Sequence, residues 1–82
     1  MESTLPAITA ATNRNILLGI LEAGITRNAT ATKAGIPTTT FNRKLNGDGD
    51  FTLRELGKIA EALDRQLADI LPSELFETRR VA

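Results

Sequence analysis

Ten consecutive residues, Thr38-Thr39-Thr40-Phe41-Asn42-Arg43-Lys44-Leu45-Asn46-Gly47, carry the densest set of reactive polar groups in the sequence. They supply three hydroxyls, two carboxamides and two cations, with no carboxylate. Such a set donates and accepts hydrogen bonds but holds no paired base and nucleophile, so its chemistry is recognition rather than bond making. The chain as a whole is neutral, with ten Lys/Arg against ten Asp/Glu. Between residues 27 and 46 the charged side chains are Arg27, Lys33, Arg43 and Lys44, all cations. Residues 47–77 carry Arg54, Lys58 and Arg65 against eight acids. A local positive patch of this kind can hold a polyanion although the net charge exerts no long-range pull.

Several classes of chemistry are excluded. The sequence has no cysteine and no histidine. Thiol chemistry, Cys/His zinc or haem ligation and any Ser-His or Cys-His nucleophile are therefore absent. Glu55, Glu61 and Asp69 lie at spacings typical of a solvated helix face, without a nucleophile or metal partner, so no enzyme and no cofactor is expected. Asn46, Asp48 and Asp50 occupy the first, third and fifth positions of a calcium loop, but Phe51 stands where that loop needs glycine and Gly57 where it needs glutamate. The segment reads instead as a turn, with Asp50 placed to help cap the next helix. Asn28-Ala29-Thr30 matches a glycosylation sequon by chance. The N-terminus lacks a signal pattern and the apolar runs are short, so no membrane segment is expected. A cytoplasmic location fits the absence of cysteine.

What must position the polar stretch is a set of helices. Eighty-two residues make one domain. The apolar spacing is helical almost throughout, with no strand-like alternation. Residues 1–8 read as a loose tail, residues 9–77 as the domain and residues 78–82 as a second tail. The first helix is expected to begin after Thr9 or Thr12 and to end at Gly24. Thr26 caps a second helix from Arg27 to Ala34, and Gly35 stops it. A third starts near Pro37 and ends at Asn46-Gly47. Thr52-Leu53-Arg54-Glu55 is a capping-box pattern opening a fourth. A short fifth carries Leu67, Ile70 and Leu71, with Pro72 as its stop; Glu74 to Ala82 gives no clear pattern. The expected core is Ile16, Leu17, Ile20, Leu21, Ile25, Ala31, Ile36, Phe41, Leu45, Leu53, Leu56, Ile59, Leu63, Leu67 and Ile70.

At about 100° per residue, Phe41 and Leu45 lie roughly 40° apart and mark the buried side of the third helix. Thr39, Asn42, Arg43 and Asn46 fall roughly 100–200° away, with Thr38 on the flank. These side chains suit base edges in a DNA major groove: Arg pairs bidentately with guanine, Asn with adenine, and a Thr methyl meets a thymine methyl. Arg27 and Lys44 sit at the margins, where phosphates run. Ahead of this helix, Ala34-Gly35-Ile36 has the length and residue types of the turn in a helix-turn-helix, spanning about 26–46.

The run Ile25-Thr26-Arg27, Ala31, Ala34-Gly35-Ile36-Pro37, Thr40-Phe41, Arg43-Lys44-Leu45-Asn46-Gly47, followed by Leu53, Leu56, Ile59, Ala60 and Leu63, resembles the phage Cro and cI repressor (XRE-like) helix-turn-helix family. The resemblance covers roughly residues 10–72. It implies a compact five-helix, lambda-repressor-like DNA-binding domain whose third helix enters the major groove. Carried over by position, Thr38, Thr39, Asn42 and Arg43 read bases, while Arg27, Asn28, Thr40, Lys44 and Asn46 hold the phosphate backbone. Three positions depart from the family pattern. Arg27 replaces a frequent glutamine, Thr30 replaces a leucine, and Asp48 and Asp50 follow Gly47 where a cation would suit phosphate better. A buried Thr30 is expected to return its hydroxyl to an earlier carbonyl.

The resemblance implies a sequence-specific transcriptional repressor that occupies a double-stranded DNA operator, with no small-molecule ligand. A chain of this length has room for the reader domain alone. Family practice is two copies on a two-fold site, so a homodimer is expected, in solution or only on DNA, with Leu71, Leu75, Phe76 and Val81 as its candidate surface. The rival reading is a helical protein-interaction module, an adaptor or anti-repressor that keeps the fold without binding DNA; the acidic second half is compatible with it.

Overall fold

The computed structural model describes residues 5–73. Five helices follow one another: α1 (Leu5–Ala23), α2 (Arg27–Ala34), α3 (Thr38–Leu45), α4 (Leu53–Ala62) and α5 (Leu67–Ile70). No strand occurs among the described residues. The domain is all-α, as the sequence implies, and none of the described helices is long and apolar enough to cross a membrane.

The start of α1 differs from expectation. The helix begins at Leu5 rather than after Thr9 or Thr12, so residues 5–8 form its first turn instead of a tail. Pro6 suits that turn because it has no N–H to leave unpaired. Thr12 does not cap; its hydroxyl donates to the Ile8 carbonyl at 2.8 Å, inside the helix.

The buried stripe of α1 also has a different phase. Ile16 and Ile20 are buried, whereas Leu17, Leu18 and Leu21 are 36%, 49% and 75% exposed. Leu17 and Leu21, both expected in the core, stand one residue past the Ile16–Ile20 stripe, about 100° around the axis. Thr12 and Asn13, one turn earlier on the same side as Ile16, are buried as well. Leu53 is a third correction, being 66% exposed. It opens α4, and the part of that helix that reaches the core is Leu56, Ile59 and Ala60, continued by Leu63.

The core is one cluster. Ile16 and Ile20 of α1, Ala31 and Ala34 of α2, Ile36 of the turn, Phe41 and Leu45 of α3, the α4 stripe and Ile70 of α5 belong to it. Ile25, Phe51, Leu67 and Leu71 pack against it half-buried. Leu71 is thus engaged with its own core; Leu75, Phe76 and Val81 lie outside the described residues. Asn15 of α1 reaches α5, donating from Nδ2 to the Ile70 carbonyl at 2.9 Å.

The capping box of α4 forms as the sequence spells it. Thr52 Oγ1 accepts from the Glu55 N–H at 3.0 Å, and Glu55 Oε1 accepts from the Thr52 N–H at 2.8 Å. Asp50 takes no part in this cap; its carboxylate accepts instead from the Thr9 hydroxyl at 2.9 Å.

Candidate nucleic-acid interface

The interface is built outward from the turn between α2 and α3. Thr26 caps α2, accepting from the Ala29 N–H at 3.0 Å. Arg27 and Asn28, the first two residues of α2, are exposed. Thr30 is fully buried, and its hydroxyl donates to the Thr26 carbonyl at 2.9 Å. At the position where the sequence resemblance leads one to expect a leucine, this chain therefore buries a threonine whose polar group is satisfied within its own helix.

Gly35 ends α2 with φ 72°, a left-handed conformation that a side chain would strain. The Ile36 N–H then bonds back to the Ala31 carbonyl at 3.0 Å, and the Ile36 side chain enters the core. Pro37, with φ −55°, leads into α3, and its carbonyl accepts from the Phe41 N–H at 2.9 Å. Phe41 and Leu45 are buried, which turns Thr39, Arg43 and Asn46 outward, all exposed. Thr38 and Thr40 are half-buried on the two flanks. Asn42 is less free than its place on the helical wheel suggests. It is half-buried, only about 60° from Leu45, and its Oδ1 is buried without a hydrogen-bond partner.

The two cations of α3 are held differently. Arg43 is exposed, and its Nη1 donates to the Asp48 carbonyl at 3.3 Å, so the guanidinium lies along the loop that leaves the helix. Lys44 is turned the other way. Its Nζ is 2.8 Å from Glu55 Oε1 and 5.9 Å from the centre of the Phe51 ring. Its ammonium is thus committed to the start of α4. The Lys44 hydrogen bond is the main cause that holds the Glu55 carboxyl below its ordinary value of 4.5, against the opposing effect of burial and with help from the Thr52 N–H.

A lowered folded-state value means that this carboxylate stabilises the fold at neutral pH and loses its contribution as pH falls through the folded value. We therefore expect wild type to lose stability below about pH 5, and Glu55→Gln to flatten that part of the profile while being less stable at pH 7. Urea midpoints across the acid range measure it; parallel profiles would show that other carboxylates carry the acid sensitivity.

Sequence reasoning missed the residues that hold α3 from outside. Asn13 Nδ2 donates to the Lys44 and Leu45 carbonyls at 3.1 and 3.3 Å. Its signal was present: residue 13 is in phase with Ile16 and Ile20, and a polar residue on an apolar stripe implies a buried hydrogen bond. Glu55 as the partner of Lys44 left no comparable mark beyond the capping box.

The site is therefore a short exposed helix backed by two apolar anchors, following a tight glycine turn, with an exposed arginine at the head of the preceding helix. No curated protein and no solved structure shows a significant match to the chain. One family model does match, over residues 19–74, from the last five residues of α1 to just past α5. With the turn and both of its helices inside that span, the chain belongs to the Cro/C1-type helix-turn-helix DNA-binding domain family.

Proposed function

We propose that this protein is a Cro-type repressor that occupies an operator through α3 laid in the major groove. Thr38, Thr39, Asn42 and Arg43 face base edges, and Arg27, Asn28, Thr40, Lys44 and Asn46 lie along the phosphates. The observation that carries this reading is the outer face of α3, where Thr39, Arg43 and Asn46 are exposed with no acid among them and Phe41 and Leu45 are buried behind. Hydroxyl, guanidinium and carboxamide on one convex face match the donors and acceptors that base pairs present in that groove.

The roles are not equal. Arg27 stands free at the start of α2 and suits a phosphate directly. Lys44 reaches phosphate only by leaving Glu55, so it ranks behind Arg27. Asn42 Oδ1 has no hydrogen-bond partner among the described residues. Turning its carboxamide outward to an adenine edge would give that oxygen a donor. With only a handful of cations on the face that meets phosphate, a single domain binds weakly, and two copies on a two-fold operator supply the remaining affinity.

One observation favours the interaction-module reading: Leu18 and Leu21 leave an apolar strip of α1 open to solvent. Selection from random duplex DNA at moderate salt separates the two. A repressor enriches a defined motif, and a two-fold motif reports two bound copies. Folded protein that enriches nothing would overturn the DNA reading in favour of a protein partner.

A further inference from the structure

Asn13 is a buried polar residue with no place in the DNA-facing surface. It is 7% exposed, and its carboxamide spans two carbonyls in the last turn of α3, those of Lys44 and Leu45. Carbonyls in the last turn of a helix lack the usual intrahelical partners: that of Lys44 accepts from the Gly47 N–H at 3.0 Å as well as from Asn13, and that of Leu45 accepts from Asn13. Four residues earlier on α1, Thr9 donates to Asp50 in the loop that leaves α3. One side of α1 therefore grips both the end of α3 and the loop beyond it. The α4 side supplies a second hold through Glu55 and Lys44.

Phe41 and Leu45 fix which face of α3 is buried, but apolar burial is non-directional and specifies small rotations and slides of the helix less closely. A hydrogen bond to a backbone carbonyl is directional and specifies both. Arg43 is the residue immediately before the first of the two carbonyls that Asn13 binds. Thr9 and Asn13 lie outside the segment that the family model matches, which begins at residue 19.

We propose that Asn13 is a positioning residue for the DNA-reading helix: its carboxamide fixes the C-terminal end of α3 and thereby selects which base edges Arg43 reaches. This rests on the DNA reading above. Base contacts require placement within roughly 0.5 Å, whereas a long side chain on a phosphate accommodates more. Loss of the Asn13 donor therefore acts on sequence discrimination and spares the electrostatic part of binding.

The test compares wild type, Asn13→Asp, Asn13→Ala and Ile59→Val. Asn13→Asp keeps the shape, removes the donor and sets a negative charge against two carbonyl oxygens. Asn13→Ala removes the side chain without that charge and serves where the aspartate variant does not fold. Ile59→Val trims a fully buried α4 residue and controls for lost stability alone. Each protein is measured well below its melting temperature for affinity to the selected duplex, affinity to random duplex and salt dependence.

The ratio of the two affinities should fall about tenfold in the Asn13 variants, the discrimination that one well-placed base contact provides. The salt dependence should not change, and Ile59→Val should keep the wild-type ratio. Asn13 variants that melt lower yet keep that ratio would overturn the proposal, leaving Asn13 a purely structural residue. If wild type shows no sequence preference, the DNA reading itself has failed. Amide exchange in the free protein then still decides whether Asn13 holds α3. The amides of Asn46, Gly47 and Asp48, which bond back to Asn42, Lys44 and Arg43, should exchange faster in the variants, and unchanged protection would overturn that hold as well.

Discussion

Phe41→Ala should lower the free energy of unfolding by about 3–5 kcal/mol, the range for emptying a buried aromatic site. The Phe41 side chain is fully buried, and its ring lies 5.7 Å from that of Phe51, tilted by 56°. Removing it leaves a cavity between α3 and the core and strips Phe51 of its aromatic neighbour. A domain of this size has a total stability of only about 5–15 kcal/mol, so the change takes a large share of it. Urea or thermal denaturation measures the loss, with Phe41→Leu keeping most of the volume if the alanine variant does not fold. Leu53→Ala is the informative companion. A helical wheel places Leu53 with the α4 core residues, but it is 66% exposed, so its replacement should cost no more than about 0.5 kcal/mol. Equal losses at the two positions, or no loss at Phe41, would mean that α3 and α4 present other faces to the core. Thr39 and Arg43 would then lose their place on the outside.

What the sequence disclosed and what it hid divide along the range of the interactions. The helix-turn-helix was legible because each of its boundaries is a local chemical event. Thr26 caps its own helix, Gly35 adopts φ 72°, Pro37 starts α3, and Thr52 and Glu55 close a capping box, all within a few residues. Phe41 and Leu45 fixed the phase of α3 because no competing apolar pair exists on that helix. In α1 two apolar pairs compete, Ile16/Ile20 and Leu17/Leu21, and both spacings are helical. Only packing against the other helices decides between them, and it buries the isoleucines. The same holds for the contacts that set α3 in place. Asn13 and its carbonyl partners are 31 and 32 residues apart in sequence, and Thr9 and Asp50 are separated by 41. The early start of α1 belongs with these. Its first turns lead up to Thr9 and Asn13; the phase of Asn13 marks it as buried, but which distant acceptors it and the Thr9 hydroxyl meet has no local signature.

Arg43→Ala should weaken binding to the selected duplex by about 1–3 kcal/mol and relax preference at one base pair. Of the two cations in α3, Lys44 is drawn to Glu55, which leaves Arg43 as the one on the outer face. Its guanidinium rests on a single exposed bond of 3.3 Å to a loop carbonyl, a contact cheap to exchange for a guanine edge. The fold should be unaffected, since the side chain supports nothing in the core. Arg27→Ala supplies the contrast. A residue that contacts only phosphate should weaken binding on every sequence alike and reduce the salt slope by about one. The measurement is affinity against the selected duplex and its single-base variants at several salt concentrations. Loss confined to one position in Arg43→Ala, with uniform loss in Arg27→Ala, would assign base reading to α3 and anchoring to the head of α2. Uniform loss in both would reduce Arg43 to a phosphate contact and leave discrimination to Thr38, Thr39 and Asn42, whose short side chains must then approach the bases more closely than an arginine does.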